Sequence, residues 1–296
     1  STLSSSSAAS DVYKRQTRGQ GEYKLDETRV DSDYKKGHIP GSISFSTDKI
    51  GEFKDYLKKP ELLKDVFLEH GVSKDTLLVV YSIYSRDIIY IASRIAFSAY
   101  YLGVDQVKIL DGGLQAWERS GYDLETGINL PNPKSNFGSS VPRRQDLLIR
   151  EPQDLMDYKK AHPDAVLASV RTWKEYTGQN EGHAWNKGVG EIAGAVYAGD
   201  ELLANQNGEI ADPEVYLNSW KQWGIEEDRD IIFYCGTGWR SSTAFFVAKH
   251  LGWPNVRMFD GSWYKYYRAH KKQPKKYPIQ IGNPKSKKGV RIINRC

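Results

Sequence analysis

Apolar residues in this chain of 296 residues fall into two alternating patterns: short unbroken runs, and longer stretches where they recur every third or fourth position. The first pattern reads as a strand buried on both faces, the second as an amphipathic helix. Tyr23 to Arg29 is expected as a first strand, and Tyr34 to Phe45 as a loop entering a short second one. A helix is expected over Pro60 to His70, closed by Gly71, then a buried strand over Leu77 to Tyr81 (Leu-Leu-Val-Val-Tyr). An amphipathic helix over Ile88 to Leu102, a strand over Val107 to Leu110, Asp111-Gly112-Gly113 and a helix to Ser120 complete this half. Pro131 to Pro142 then breaks every period, as a linker does. The pattern starts again with strands expected over Leu147 to Ile149, Ala165 to Arg171, Asp230 to Tyr234 and Val256 to Phe259. Between them helices are expected over Glu151 to Ala161, Asp212 to Trp223 and Ser241 to Leu251.

The two halves share a countable signature. Leu102-Gly103, Val107 and Asp111-Gly112 recur 149 positions later as Leu251-Gly252, Val256 and Asp260-Gly261. A period this long means two copies of one domain rather than a solenoid. Strands alternating with helices imply the α/β class: two tandem domains, each an open parallel sheet with helices on both faces. Sites in such sheets lie beyond the C-terminal ends of the strands. The boundaries read 17–130 for the first domain, 131–142 for the linker, 143–270 for the second domain and 271–296 for a basic C-terminal tail. Residues 1–16 have neither the charged start nor the apolar core of a signal peptide and resemble a translated adapter, so they are set aside. A start of this kind leaves the compartment open.

Composition narrows the partners. The net charge is +5, with acids and bases mixed along most of the chain, which suits a small anionic substrate and does not argue for nucleic acid. Lys271-Lys272, Lys275-Lys276 and Lys285 to Lys288 sit in a Pro-rich stretch and read as a solvated tail. No run approaches the ~18 apolar residues of a membrane span. Two cysteines, Cys235 and Cys296, are too few for a disulfide scaffold.

The chemistry concentrates in Ile231 to Ser242 (Ile-Ile-Phe-Tyr-Cys-Gly-Thr-Gly-Trp-Arg-Ser-Ser). Cys235 ends a strand and a helix follows at once, with Ser241 and Ser242 as candidate N-caps. A sulfur so placed faces the positive end of a helix dipole and N–H groups that the helix cannot use, which favours a thiolate. Gly236 and Gly238 admit φ > 0, so successive N–H groups can converge into an anion cradle above the sulfur. Arg240 adds a permanent positive charge at the rim. A lone cysteine ending a strand is otherwise a small apolar filler, but filler needs neither the glycines nor the arginine.

Cysteine, four residues, arginine and then a helix resembles the active-site loop of the rhodanese family, whose cysteine carries sulfur as a persulfide. Phosphatases related to that fold carry a loop one residue longer. Tyr34 with Gly37-His38-Ile39-Pro40-Gly41-Ser42 resembles the family's Tyr…Gly-His-Ile-Pro-Gly-Ala signature. His38 there reads as ordering the loop before a strand, or as a general base. After Tyr81 the first half has Ser82-Ile83-Tyr84-Ser85-Arg86, with about four residues more before its Asp-Gly pair, so that domain is expected to be inactive. The second half has Gly190-Glu191-Ile192-Ala193-Gly194-Ala195 where Gly-His-Ile-Pro-Gly-Ala is expected, and Ser169-Val170-Arg171 where Asp-x-Arg is common. With Cys235 to Arg240, these variants resemble the multi-domain bacterial thiosulfate sulfurtransferases, which have three such domains and a cysteine only in the last. By that likeness this chain corresponds to the last two.

The resemblance implies that Cys235 takes a sulfane sulfur from thiosulfate or a similar small anionic donor and passes it to cyanide, a thiol or a sulfur-acceptor protein. The alternative is a relay or regulatory protein with little thiosulfate turnover. Neither cofactor nor metal is implied. Gly236, Thr237, Gly238, Trp239, Arg240, Ser241 and Arg171 are the expected substrate-binding residues. Arg240 either binds the donor's oxygens or braces the loop, and Arg171 either contacts the anion or pairs with Glu175 or Asp260. Trp239 either walls the pocket or packs. His183 and Lys187, in the Gly-rich stretch Gly178 to Gly190, either close over the mouth or belong to a solvated loop.

Overall fold

Parallel strands carry both halves of the computed structural model, which describes residues 16–19, 33–51, 57–83, 88–182 and 188–295. One unit is formed essentially by the chain up to Gln145 with Gln206–Glu209, the other by Asp146–Asn205 and Ile210 onward.

In the first unit, β1 (Gln16–Gly19), β2 (Ser42–Ser44), β3 (Leu77–Ser82) and β4 (Gln106–Ile109) form one parallel sheet in the order β2-β1-β3-β4. Helix α1 (Pro60–Glu69) lies between β2 and β3, α2 (Ile88–Leu102) between β3 and β4, and α3 (Gly113–Arg119) follows β4. Pro60 opens α1, where its missing N–H costs nothing, and Leu63 and Phe67 one turn apart are its buried stripe. The strand expected over Tyr23 to Arg29 lies outside the described residues. The described first strand instead begins at Gln16, the last residue of the segment set aside.

The second unit contains β5 (Leu148–Ile149), β6 (Val166–Ser169), β7 (Glu191–Ile192), β8 (Val196–Tyr197), β9 (Ile231–Tyr234) and β10 (Val256–Phe259). Its helices are α4 (Pro152–Ala161), α5 (Trp173–Tyr176), α6 (Pro213–Gln222), α7 (Trp239–His250) and α8 (Ser262–Lys272). Five of the strands make a parallel sheet in the order β5-β10-β9-β6-β8, with β9 in the middle. All four residues of β9 are buried, because the strand's alternating side chains meet helices on opposite faces. Ile232 and Tyr234 pack with Leu155 of α4 and Trp263 of α8, while Phe233 lies 5.2 Å from the ring of Trp220 in α6.

Two stretches differ from their expectation. Residues 131–142 contain neither helix nor strand, but Phe137 is 2% exposed and its carbonyl accepts the Lys74 N–H at 2.8 Å, so the segment packs within the first unit. The tail after α8 is not merely solvated: β11 (Ile279–Gly282) and β12 (Val290–Ile293) form an antiparallel sheet with β7, in the order β12-β11-β7. The lysines mask a short alternation in which Ile279 is buried against β7's Ile192.

Candidate active site

Strand β9, central and buried, delivers Cys235 to its C-terminal end, and α7 begins four residues later. Between them Gly238 sits at φ +87, a left-handed turn that glycine makes without crowding, and is the N-cap of α7. Its N–H donates to the Cys235 sulfur at 3.2 Å, and the Ser241 hydroxyl approaches the same sulfur at 3.8 Å. Ser241 and Ser242 therefore lie inside the first turn rather than at the cap. Ser241 faces the sulfur, and Ser242 donates to the Gly238 carbonyl at 2.8 Å. Cys235 is a free thiol, 1% exposed, with Thr237 and Trp239 buried beside it.

The back of the loop is tied to the first turn of α8. Trp263 N–H donates to the Cys235 carbonyl and Tyr264 N–H to the Gly236 carbonyl, each at 3.0 Å. The Cys235 N–H points to Ser262 Oγ at 3.4 Å.

Arg240 does not reach outward. Its two terminal nitrogens grip Glu175 at 2.8 and 3.1 Å, and Nη1 also donates to Asp200 at 2.7 Å. Glu175 additionally accepts the Thr172 N–H at 2.9 Å in a capping box at the start of α5. Burial alone would raise the Glu175 carboxyl, but Arg240 foremost, with Arg171, holds it well below the usual carboxylate range. Asp200 behaves oppositely: burial pushes its carboxyl up to about 7 against the pull of Arg240.

Arg171 is fully buried beneath this layer. It donates to the Gly190 carbonyl at 2.6 Å and to Glu191 at 3.1 Å, stands 3.6 Å from Glu175, and its guanidinium carbon lies 4.8 Å from the centre of the Trp263 ring. Glu191 in turn accepts from Ser169 at 2.6 Å, from its neighbour's Ile192 N–H at 2.9 Å, and from the Tyr234 hydroxyl. A ladder of alternating charge, Arg240, Glu175, Arg171 and Glu191, thus runs beside the cysteine loop into the core. Sequence reasoning named both arginines but treated Glu191 only as a motif variant and missed Asp200, which no local pattern marks. His183 and Lys187 lie outside the described residues.

In the first unit Ser82 follows Tyr81 as Cys235 follows Tyr234, and it is buried. His38 stacks on Tyr34 at 3.9 Å, with Nδ1 2.8 Å from the Tyr34 carbonyl, an arrangement that orders the loop before β2. Among the described residues, no three or more His, Cys, Asp or Glu side chains are grouped to hold a metal, and no helix is long and apolar enough to cross a membrane.

The rhodanese-like domain family matches residues 9–120 and again 151–269, the first match beginning inside the segment set aside from the sequence. Thiosulfate sulfurtransferase YnjE of Escherichia coli K12 is 35% identical over 248 residues, which cover 79% of this chain and 54% of that one. The crystal structure of YnjE superposes with a TM-score of 0.79 at 30% identity, over 91% of this chain and 62% of its own. The sulfur carrier protein TtuD of Thermus thermophilus is 29% identical over 252 residues, 79% of this chain and 85% of TtuD. EanB in complex with ergothioneine superposes with a TM-score of 0.80 at 28% identity, over 91% of this chain and 65% of that one. The chain spans about half the length of YnjE.

Proposed function

The chain belongs to the rhodanese family, and on that premise we propose that it is a sulfurtransferase working through a persulfide on Cys235. The Cys235 thiolate attacks the outer sulfur of thiosulfate, the donor's S–S bond breaks, and sulfite leaves with its electron pair. The enzyme retains the persulfide anion. Cyanide or a thiolate then attacks the terminal sulfur, the bond to Cys235 breaks, and thiocyanate or a new persulfide departs as the thiolate is restored. Atoms and electrons balance with no further reagent, so the scheme calls on neither cofactor nor metal.

The observation that carries this reading is the Gly238 N–H aimed at the sulfur from 3.2 Å. A main-chain donor at that distance stabilises negative charge on sulfur before and after transfer. Gly236, Thr237, Trp239 and Ser241 complete the loop around the transferred atom. Arg240 and Arg171, both engaged by carboxylates, hold the loop in place rather than grip the donor. A relative named a sulfur carrier protein makes a protein thiol a further acceptor class beside cyanide and small thiols. Nucleic acid has no part in the scheme.

The test is thiosulfate:cyanide transfer by the intact chain and by Cys235→Ser, with intact mass after thiosulfate alone. One added sulfur on the wild type and loss of turnover in the variant are expected. Equal rates for the two proteins overturn the assignment.

A further inference from the structure

Among the described residues Ser262 is the non-glycine residue with positive φ, at +48. An L side chain in that region crowds the backbone, and glycine reaches it without penalty. The first unit shows the relaxed solution: Asp111-Gly112-Gly113 corresponds to Asp260-Gly261-Ser262, and Gly113 takes φ +54. A residue held in such a conformation is a reason to ask what its side chain does there.

The Ser262 hydroxyl donates to the Phe259 carbonyl at 3.0 Å and stands 3.4 Å from the Cys235 N–H, which it accepts. It therefore joins the ends of β10 and β9 at the reacting residue. The next two N–H groups, of Trp263 and Tyr264, take the carbonyls of Cys235 and Gly236 at 3.0 Å each. A trans peptide carries its C=O and N–H on opposite sides, so holding those carbonyls against α8 turns the Gly236 and Thr237 N–H groups away from it.

We propose that Ser262 is a positioning residue for sulfur transfer: its hydroxyl fixes the Cys235 main chain so that the sulfur stands over the Gly238 N–H. This rests on the persulfide reading above. A glycine, as in the other unit, would relieve the backbone but leave Cys235 untied.

The experiment uses the full chain with Cys296→Ser, so that Cys235 alone is followed, and compares Ser262→Gly and Ser262→Ala. Ser262→Gly is expected to melt at or above the parent temperature, yet to lose about ten-fold in kcat with KM for thiosulfate within about two-fold. Its alkylation by iodoacetamide is expected to slow about five-fold, since the sulfur is no longer held against its donor. Ser262→Ala is expected to match that loss of kcat and to melt lower, because it keeps the strained φ without the hydroxyl. Parent-like alkylation and kcat in Ser262→Gly overturn the proposal, as does a loss confined to KM. Should the parent accept no sulfur, the persulfide reading fails, and the alkylation rates still decide the role of Ser262.

Discussion

Arg240 meets Glu175 through both terminal nitrogens, at 2.8 and 3.1 Å, although the two residues are 65 positions apart in the chain. A two-pronged contact fixes the plane of the guanidinium as well as its position. Because Arg240 lies in the first turn of α7, fixing it fixes the start of the helix whose N-cap, Gly238, donates to the Cys235 sulfur. The same carboxylate stands 3.6 Å from Arg171, so one buried anion serves two cations, Arg171 fully buried and Arg240 mostly so.

Glu175→Gln should therefore do more than weaken one contact. It leaves two guanidiniums buried with less counter-charge, and removing one partner of a buried pair costs about 3–5 kcal/mol. Urea denaturation is expected to show a loss of that size with an unchanged m-value, together with loss of sulfur transfer. A variant as stable as the wild type would mean that the ladder is not held by this carboxylate.

Asp200 should give the protein a pH dependence of unusual sign. Burial pushes its carboxyl up to about 7 against Arg240, whereas an unfolded aspartate titrates near about 4. Between those values the folded protein keeps a proton that the unfolded chain has released, so this group's stabilisation is present below about pH 4 and lost as pH rises through about 7. The groups acting on it are Arg240 and Glu201, with the Tyr197 hydroxyl interacting with both carboxylates. Glu201, which desolvation alone would raise, is lowered by hydrogen bonds from Asp200 and Tyr197. Glu175 contributes oppositely, its stabilisation being lost only as pH falls into the acid range. Asp200→Asn imitates the protonated form and should flatten the decline between about pH 4 and 7 that is expected in melts of the wild type. Parallel profiles for the two proteins would show that Asp200 is ionised throughout.

How much of this could be read beforehand depended on distance along the chain. The bounds of α2 and β10 match their apolar runs because periodicity is local, and the 149-residue recurrence gave two copies of one domain. Cys235 and its loop were legible since a strand end, two glycines and a helix start are contiguous. For Arg171 the local partner Glu175, four positions on and 3.6 Å away, was among the expected ones, but Glu191, 20 positions on, and the carboxylates that Arg240 holds, Glu175 being 65 positions from it, were not, because the choice among distant carboxylates is made by folding. Strands β7 and β8 have two residues each, too short for any period to register. The helix start was misplaced by the serines, since the left-handed Gly238 takes the cap and its φ is not written in the sequence.

The segment after α8 provides a last discriminating case. Were it a solvated tail, no single substitution there would matter. Instead Gln280, buried in β11, accepts the Gly194 N–H at 2.9 Å and donates to the Ala195 carbonyl at 3.1 Å. Those residues form the turn just after Glu191 and Ile192, which pair with Gln280 and Ile279 in the antiparallel sheet. Gln280→Ala removes two hydrogen bonds, each worth about 0.5–1.5 kcal/mol, so a loss of about 1–3 kcal/mol is expected in urea denaturation. Replacing both exposed lysines Lys287 and Lys288 by alanine should instead stay within about 0.5 kcal/mol, as surface changes do. Because the Glu191 main chain is registered by β11 and its carboxylate anchors Arg171, Gln280→Ala should also lower sulfur transfer, while the double lysine variant should not. Equal stability and turnover in the two variants would return the segment to the status of a tail.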